Sequence, residues 1–237
     1  MSKPFQFKQF TIQQDRTAMK VGTDGVLLGA WASIENNPFS ILDIGTGTGL
    51  IALQLAQRCH AEVIDALEID DDAYEQAVEN FENSPWSDRL FCYHAGLDEF
   101  VAEIEDKYDL IVSNPPFYTE NYKTENTQRD TARFTDALPF EELLASVAHL
   151  LEPTGEFQTI IPYKEYEYFV NLAKINALFP QKTCHVKGNP EADFKRSLIS
   201  FSFKKTTNNV EELVIETARH QYTDDYISLT KAFYLKL

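Results

Sequence analysis

Apolar residues along the chain alternate between two repeats. Ser40 to Ile44 (Ser-Ile-Leu-Asp-Ile) is a short apolar run that ends in a glycine-rich turn, which predicts a buried strand of a parallel sheet. Leu50 to Arg58 switches to helical spacing. Glu62 to Glu68 predicts a second strand, and Asp71 to Asn83 a helix whose acidic first turn suits the helix dipole. Leu90 to His94 and Tyr108 to Ser113 predict two more strands, the latter stopped by Pro115-Pro116. A helix over Leu138 to Leu151, a strand over Gly155 to Ile161 and a helix over Lys164 to Asn176 follow. Gln181 to Lys187 and Arg196 to Lys204 read as paired strands joined through Gly188-Asn189-Pro190. Glu211 to Thr217 adds a strand and Asp224 to Tyr234 a closing helix. Strands alternating with helices predict an α/β, doubly wound and mostly parallel sheet with an antiparallel terminal hairpin. Residues 1 to about 38 are expected to pack as an extension on the same single domain.

Composition changes this picture little. The 237 residues are 43% hydrophobic, without repeats or low-complexity stretches, as expected of a globular chain. Met1 to Thr11 alternates polar and aromatic residues and does not read as a signal peptide. Gly25 to Ile34 is the longest mainly apolar stretch, about half of what a spanning helix needs. A cytoplasmic location is expected. Cys59, Cys92 and Cys184 are far apart, so neither a metal site nor a disulfide framework is expected.

Charge adds more. The net charge is −16, which by itself argues against a nucleic-acid partner. Residues 62–109, however, hold 16 acidic side chains against Arg89 and Lys107, a net of −14. Residues 182–205 are net +4. A polyanion can therefore approach one face while the acidic block faces elsewhere.

Two motifs carry chemistry. Asp43-Ile-Gly45-Thr46-Gly47-Thr-Gly49 lies between the first strand and the first helix. Glycines there let the backbone turn sharply and a ligand approach closely. The dinucleotide pattern places its third glycine one residue later, where this chain has Leu50, so the turn suits an amino-acid-linked nucleoside without a pyrophosphate. Asp43 is placed to receive an ammonium group, Glu68 the two ribose hydroxyls, and Ile69 the adenine face.

Ser113-Asn114-Pro115-Pro116-Phe117 follows the fourth strand. Paired prolines fix the backbone and remove two N–H donors, so the Pro115 carbonyl and the Asn114 side-chain carbonyl converge as acceptors. A planar amino group with two N–H donors matches them. Phe117 is positioned to stack a flipped base, an interaction worth about 1–3 kcal/mol. No metal is required.

The two motifs resemble the amino-methylating branch of the class I S-adenosylmethionine methyltransferases. Phe7-Lys-Gln-Phe10, the stretch from Met19 to Trp31, Asn83-Ser-Pro-Trp86, Ala132-Arg-Phe-Thr135 and Thr230-Lys-Ala-Phe-Tyr234 carry a closer resemblance, to the bacterial tRNA1(Val) adenine-37 N6-methyltransferases. That resemblance implies a seven-stranded mixed sheet, S-adenosyl-L-methionine as cofactor and tRNA as partner. It assigns Asp43, Gly45, Gly47, Gly49 and Glu68 to the cofactor and Asn114 through Phe117 to catalysis. One departure stands out: where relatives often carry an acid for the cofactor adenine, this chain has Leu97, with Asp98 one residue later. The polar segment Tyr118 to Ala137 is expected to guide the target base. Arg129 and Arg133, with Lys20, Lys187, Lys195 and Arg196, are candidate phosphate contacts. Methylation of a protein glutamine or of a guanine amino group in ribosomal RNA is the enzymatic alternative. A cofactor-binding RNA chaperone without turnover is the alternative of another class.

Overall fold

A computed structural model describes residues 3–116 and 138–236. Five strands run parallel in its central sheet because each is joined to the next by a helix: β3 (Ser40–Ile44), β4 (Val63–Glu68), β5 (Leu90–His94), β6 (Tyr108–Ser113) and β7 (Leu151–Pro162). The helices between them are α2 (Leu50–Arg58), α3 (Asp71–Glu82), α4 (Leu97–Glu103) and α5 (Phe140–Leu150). After α6 (Tyr166–Ile175), β8 (Phe179–Lys187) and β9 (Arg196–Ser202) form an antiparallel pair, with β9 inserted against β7. The strand order is β10-β8-β9-β7-β6-β3-β4-β5, with β10 (Asn209–Val214) parallel to β8. The sheet thus has eight strands among the described residues, one more than the resemblance implies.

Each face of the sheet has its own apolar layer. One layer joins α2 and α3 to the N-terminal segment, including the short strands β1 (Phe5–Gln6) and β2 (Thr11–Ile12) and helix α1 (Thr23–Trp31). The other packs α4, α5 and α6 around Phe157, Phe169 and Phe201. Residues Gly25 to Ala30 of α1 are all buried, which leaves no polar stripe to announce a helix.

Several boundaries differ from those the periodicity predicts. The strand expected from Glu211 to Thr217 splits into β10 and β11 (Glu216–Ala218), which pairs with β12 (Gln221–Tyr222). The Ile215 and Glu216 amides donate instead to the Lys187 and Gly188 carbonyls, at 3.0 and 2.9 Å. The closing helix α7 (Asp224–Thr230) stops short of Tyr234, because Tyr234 bridges to Phe7 and the Phe233 carbonyl accepts from the Lys8 amide at 2.8 Å. The helix expected from Lys164 begins as a 3-10 turn over Tyr163–Glu165.

Candidate active site

The strand order reverses between β3 and β6, where their connections lead to opposite sides. A crevice at the carboxyl ends of such strands is where ligands of open α/β sheets bind. Both motifs sit there. Ile44 pairs with Ser113, and the Ser113 hydroxyl donates to the Ile44 carbonyl at 2.9 Å. The residue after Ile44 begins the glycine turn, and the residue after Ser113 is Asn114.

Gly45, Gly47 and Gly49 all have positive φ, at 70°, 59° and 81°. L side chains rarely adopt this region. A Cβ on Gly45 or Gly47 would meet nothing within 4 Å, so these two border open space. A Cβ on Gly49 would come within 2.5 Å of the Phe81 ring, so the turn also needs glycine to pack on α3.

Asp43 is completely buried beneath the turn. Its Oδ2 accepts from the Thr46 hydroxyl at 2.6 Å and from the Ala52 amide at 3.2 Å, while its Oδ1 has no partner among the described residues. Burial pushes the Asp43 carboxyl up to about 7, against the lowering effect of the Thr46 and Ala52 hydrogen bonds and with a smaller push from the Glu68 charge. An unpartnered buried carboxylate oxygen fits an ammonium group, reached directly or through a water.

Glu68 closes the opposite wall. Its Oε2 accepts from the Gly47 amide at 2.8 Å, and its Oε1 from the Ile69 and Asp70 amides at 2.9 and 3.0 Å. A carboxylate has about four lone-pair positions, so capacity remains for hydroxyl donors. Ile69 is 58% exposed, an apolar side chain presented to the crevice. Leu97 is buried in the core. Asp98 is the acid that reaches this wall: its Oδ1 lies 2.8 Å from an ideal Cβ on Gly96, and Ile69 Cδ1 lies 3.7 Å from the same point. The departure at Leu97 therefore places an acid one residue later, at the same wall.

The catalytic motif emerges on the other side of the switch. Pro115 is buried, and Asn114 and Pro116 are half-buried. Asn114 Oδ1 is buried without a hydrogen-bond partner among the described residues. Phe117, Arg129 and Arg133 lie outside the described residues.

Most of the remaining basic candidates cluster at the same edge. Thr159 of β7 is level with Ser113, Pro162 pairs with Arg196, and Arg196 pairs with Val186. Lys187, Lys195 and Arg196 therefore flank the carboxyl end of β7. Arg196 Nε donates to Asp24 Oδ2 at 2.7 Å, which brings the start of α1 to this edge; Lys20, four residues before Asp24, is exposed.

One group of supporting residues was not expected from the sequence. Buried Asn80 of α3 donates to the Thr48 carbonyl of the glycine turn at 2.8 Å and to the Gln13 carbonyl at 3.0 Å, and its Oδ1 accepts from the Gln13 amide at 2.8 Å. Gln76, one turn earlier, accepts from the Asp15 and Arg16 amides. Two amides on the apolar face of α3 were the available signal. No group of three or more His, Cys, Asp or Glu side chains placed to hold a metal ion occurs among the described residues, and no helix there is long and apolar enough to cross a membrane.

Comparison with known proteins fits this geometry. The methyltransferase small domain matches residues 26–185. The chain is 66% identical to the tRNA1(Val) (adenine(37)-N6)-methyltransferase of Flavobacterium psychrophilum, over 98% of this chain and 100% of that one. It is 64% identical to the protein of the same name from Flavobacterium johnsoniae, again over 98% and 100%. Among solved structures, a predicted O-methyltransferase from Agrobacterium tumefaciens superposes with a TM-score of 0.67 at 18% identity, over 89% of this chain and 96% of that one, a likeness of fold. The motifs, their placement on one sheet edge and the full-length identity agree: the chain belongs to the tRNA1(Val) (adenine(37)-N6)-methyltransferase family.

Proposed function

We propose that this protein methylates the exocyclic N6 nitrogen of adenine 37 in tRNA1(Val), in the cytoplasm, with S-adenosylmethionine as cofactor. The observation that carries this reading is Asn114 Oδ1, a buried acceptor with no donor among the described residues, at the end of the strand whose Ser113 bonds Ile44, the residue before the glycine turn. An unpaired buried polar atom is costly unless a ligand satisfies it.

The lone pair of an aromatic amine is delocalised into its ring. Asn114 Oδ1 and the Pro115 carbonyl each accept a hydrogen bond from one amino N–H, which draws the nitrogen towards a tetrahedral state and frees that lone pair; one of the two protons is released to solvent once the nitrogen carries the methyl group. Bound S-adenosylmethionine supplies an electrophilic methyl group on a sulfonium. Asp43 holds the ammonium end, Glu68 the ribose hydroxyls, and Ile69 with Asp98 the adenine. The Pro115-Pro116 backbone, rigid and without donors, keeps the acceptors aimed. Phe117 is assigned to the face of the extruded base, and Arg129, Arg133, Lys20, Lys187 and Lys195 to phosphates, with Arg196 bracing them. Positioning and electrostatics then supply the rate.

The test is transfer of labelled methyl to total tRNA from cells lacking this activity, followed by mapping of the modified nucleoside. N6-methyladenosine at position 37 of the valine tRNA is expected. Label in another nucleoside, or no transfer to tRNA while the cofactor binds, would move the acceptor to ribosomal RNA or a protein glutamine.

A further inference from the structure

The carboxyl edge carries a second feature that the two motifs leave unused. Tyr163, at the end of β7, is 39% exposed, yet its ring is held from two sides. His185 meets it edge-on at 4.9 Å between centroids, and Phe194 lies at 5.2 Å. Tyr166 supports His185 from below at 4.9 Å, and Lys187 Nζ sits 5.3 Å from the Phe194 ring centre. The Tyr163 amide donates to the Lys195 carbonyl at 3.1 Å, which fixes the backbone. Burial holds the His185 imidazole below its ordinary range, so it joins the cluster as a neutral ring.

We propose that Tyr163 and Phe194, backed by His185 and flanked by Lys187 and Lys195, form a stacking shelf for an unpaired nucleotide next to the methylated adenine. The proposal rests on the RNA-methylating reading above. Aromatic rings beside a basic groove hold single-stranded RNA with little sequence preference, because every base has a π-face.

Position supports it. Thr159 is level with Ser113, so Asn114 is level with Ile160, and Tyr163 lies three residues farther out. At about 3.3 Å per residue that is about 10 Å along the strand direction, within reach of a neighbouring nucleotide. Charge supports it as well. Apart from Glu105, Asp106 and Asp109, which lie before or at the amino end of β6, the acidic residues of the 62–109 block fall on or beside β4, α3, β5 and α4, at one end of the sheet, whereas the shelf lies on the β7–β9–β8 half. A polyanion is repelled from the first half and admitted by the second. The nearby Glu165 carboxylate is paired with Lys164 at 3.6 Å.

The experiment compares full-length wild type, Tyr163→Ala and Tyr163→Phe in steady-state methylation of a tRNA1(Val) transcript, with cofactor affinity measured on the same samples. Tyr163→Ala is expected to raise KM for RNA at least tenfold, with the loss on KM rather than kcat and with cofactor affinity unchanged. Tyr163→Phe, which keeps the ring, is expected to stay within twofold of wild type. A KM for Tyr163→Ala within twofold of wild type overturns the shelf, as does a Phe variant as poor as Ala. If Tyr163→Ala misfolds and loses cofactor binding, Lys187→Gln serves instead, with weaker RNA binding and a salt dependence lower by about one phosphate contact expected. A wild type that methylates no tRNA sinks the functional reading. Binding of the isolated anticodon stem–loop by wild type and Tyr163→Ala then still decides the shelf.

Discussion

The Ser113 hydroxyl donates to the Ile44 carbonyl at 2.9 Å, deep between β6 and β3. This bond joins the strand that presents Asn114 to the strand that opens the glycine turn. It is a direct link between the Asn114 side and the glycine-turn side of the crevice.

Ser113→Ala removes that link and little else. A stability loss of about 1 kcal/mol is expected for one buried hydrogen bond. The larger effect is expected on chemistry, a fall in kcat of roughly tenfold or more, because small misplacements of reacting groups are costly. Cofactor affinity is expected to stay near wild type. Thermal melts, calorimetric titration with cofactor and single-turnover kinetics separate the three. A cofactor affinity that falls in step with kcat would contradict the role.

Asp43 links pH, stability and binding. Burial raises its carboxyl from 3.8 to about 7. Between those values the folded protein holds a proton that the unfolded chain releases. The associated stability is fully present below pH 3.8 and is lost as pH rises through about 7, a change of order 4 kcal/mol. Asp43→Asn keeps a carbonyl for Thr46 and Ala52 but cannot ionise. Without cofactor it is expected to melt above wild type at pH 8, with the advantage vanishing towards pH 5. Cofactor binding is expected to weaken in the variant, and in wild type to weaken by up to tenfold per pH unit below about 7 as Asp43 protonates. Melting curves and titrations across this range check both signs.

Asn80 ties the glycine turn to the N-terminal segment through bonds to Thr48 and Gln13. Asn80→Ala leaves backbone groups on both sides without partners, which predicts a loss of about 2–3 kcal/mol. It also loosens the turn, so cofactor affinity is expected to fall roughly tenfold. Denaturant titration with and without cofactor measures both. A stability loss with unchanged cofactor affinity would show that Asn80 only packs the N-terminal segment.

The sequence showed the strands of the central sheet and both motifs because their signals are local, whereas the two-residue strands β1, β2 and β12 are too short to carry a period. Asp43, Gly45, Gly47 and Gly49 span one turn, and Asn114 to Pro116 one strand end. Helix α1 escaped because every residue from Gly25 to Ala30 is buried, so no polar face marks its period. Helix α4 is only seven residues long, with Leu97 buried in the core and Asp98 turned back beside Gly96, an arrangement too short to show a period. The Asn80 link joins residues 67 positions apart, a relationship that only packing creates. The end of α7 depended on Tyr234 bridging to Phe7. The packing of Tyr163 against His185 and Phe194 required knowing that β9 inserts beside β7.

The central claim is that Asn114 Oδ1 receives the amino group of the target adenine, and Asn114→Ala tests it most directly. Cofactor affinity and single-turnover methylation of the tRNA1(Val) transcript would be measured on the same preparation. The expected result is cofactor binding within about twofold of wild type and methyl transfer reduced by 10²–10³, the cost of removing one preorganised polar contact to the reacting group. Transfer at the wild-type rate with intact cofactor binding would contradict the mechanism.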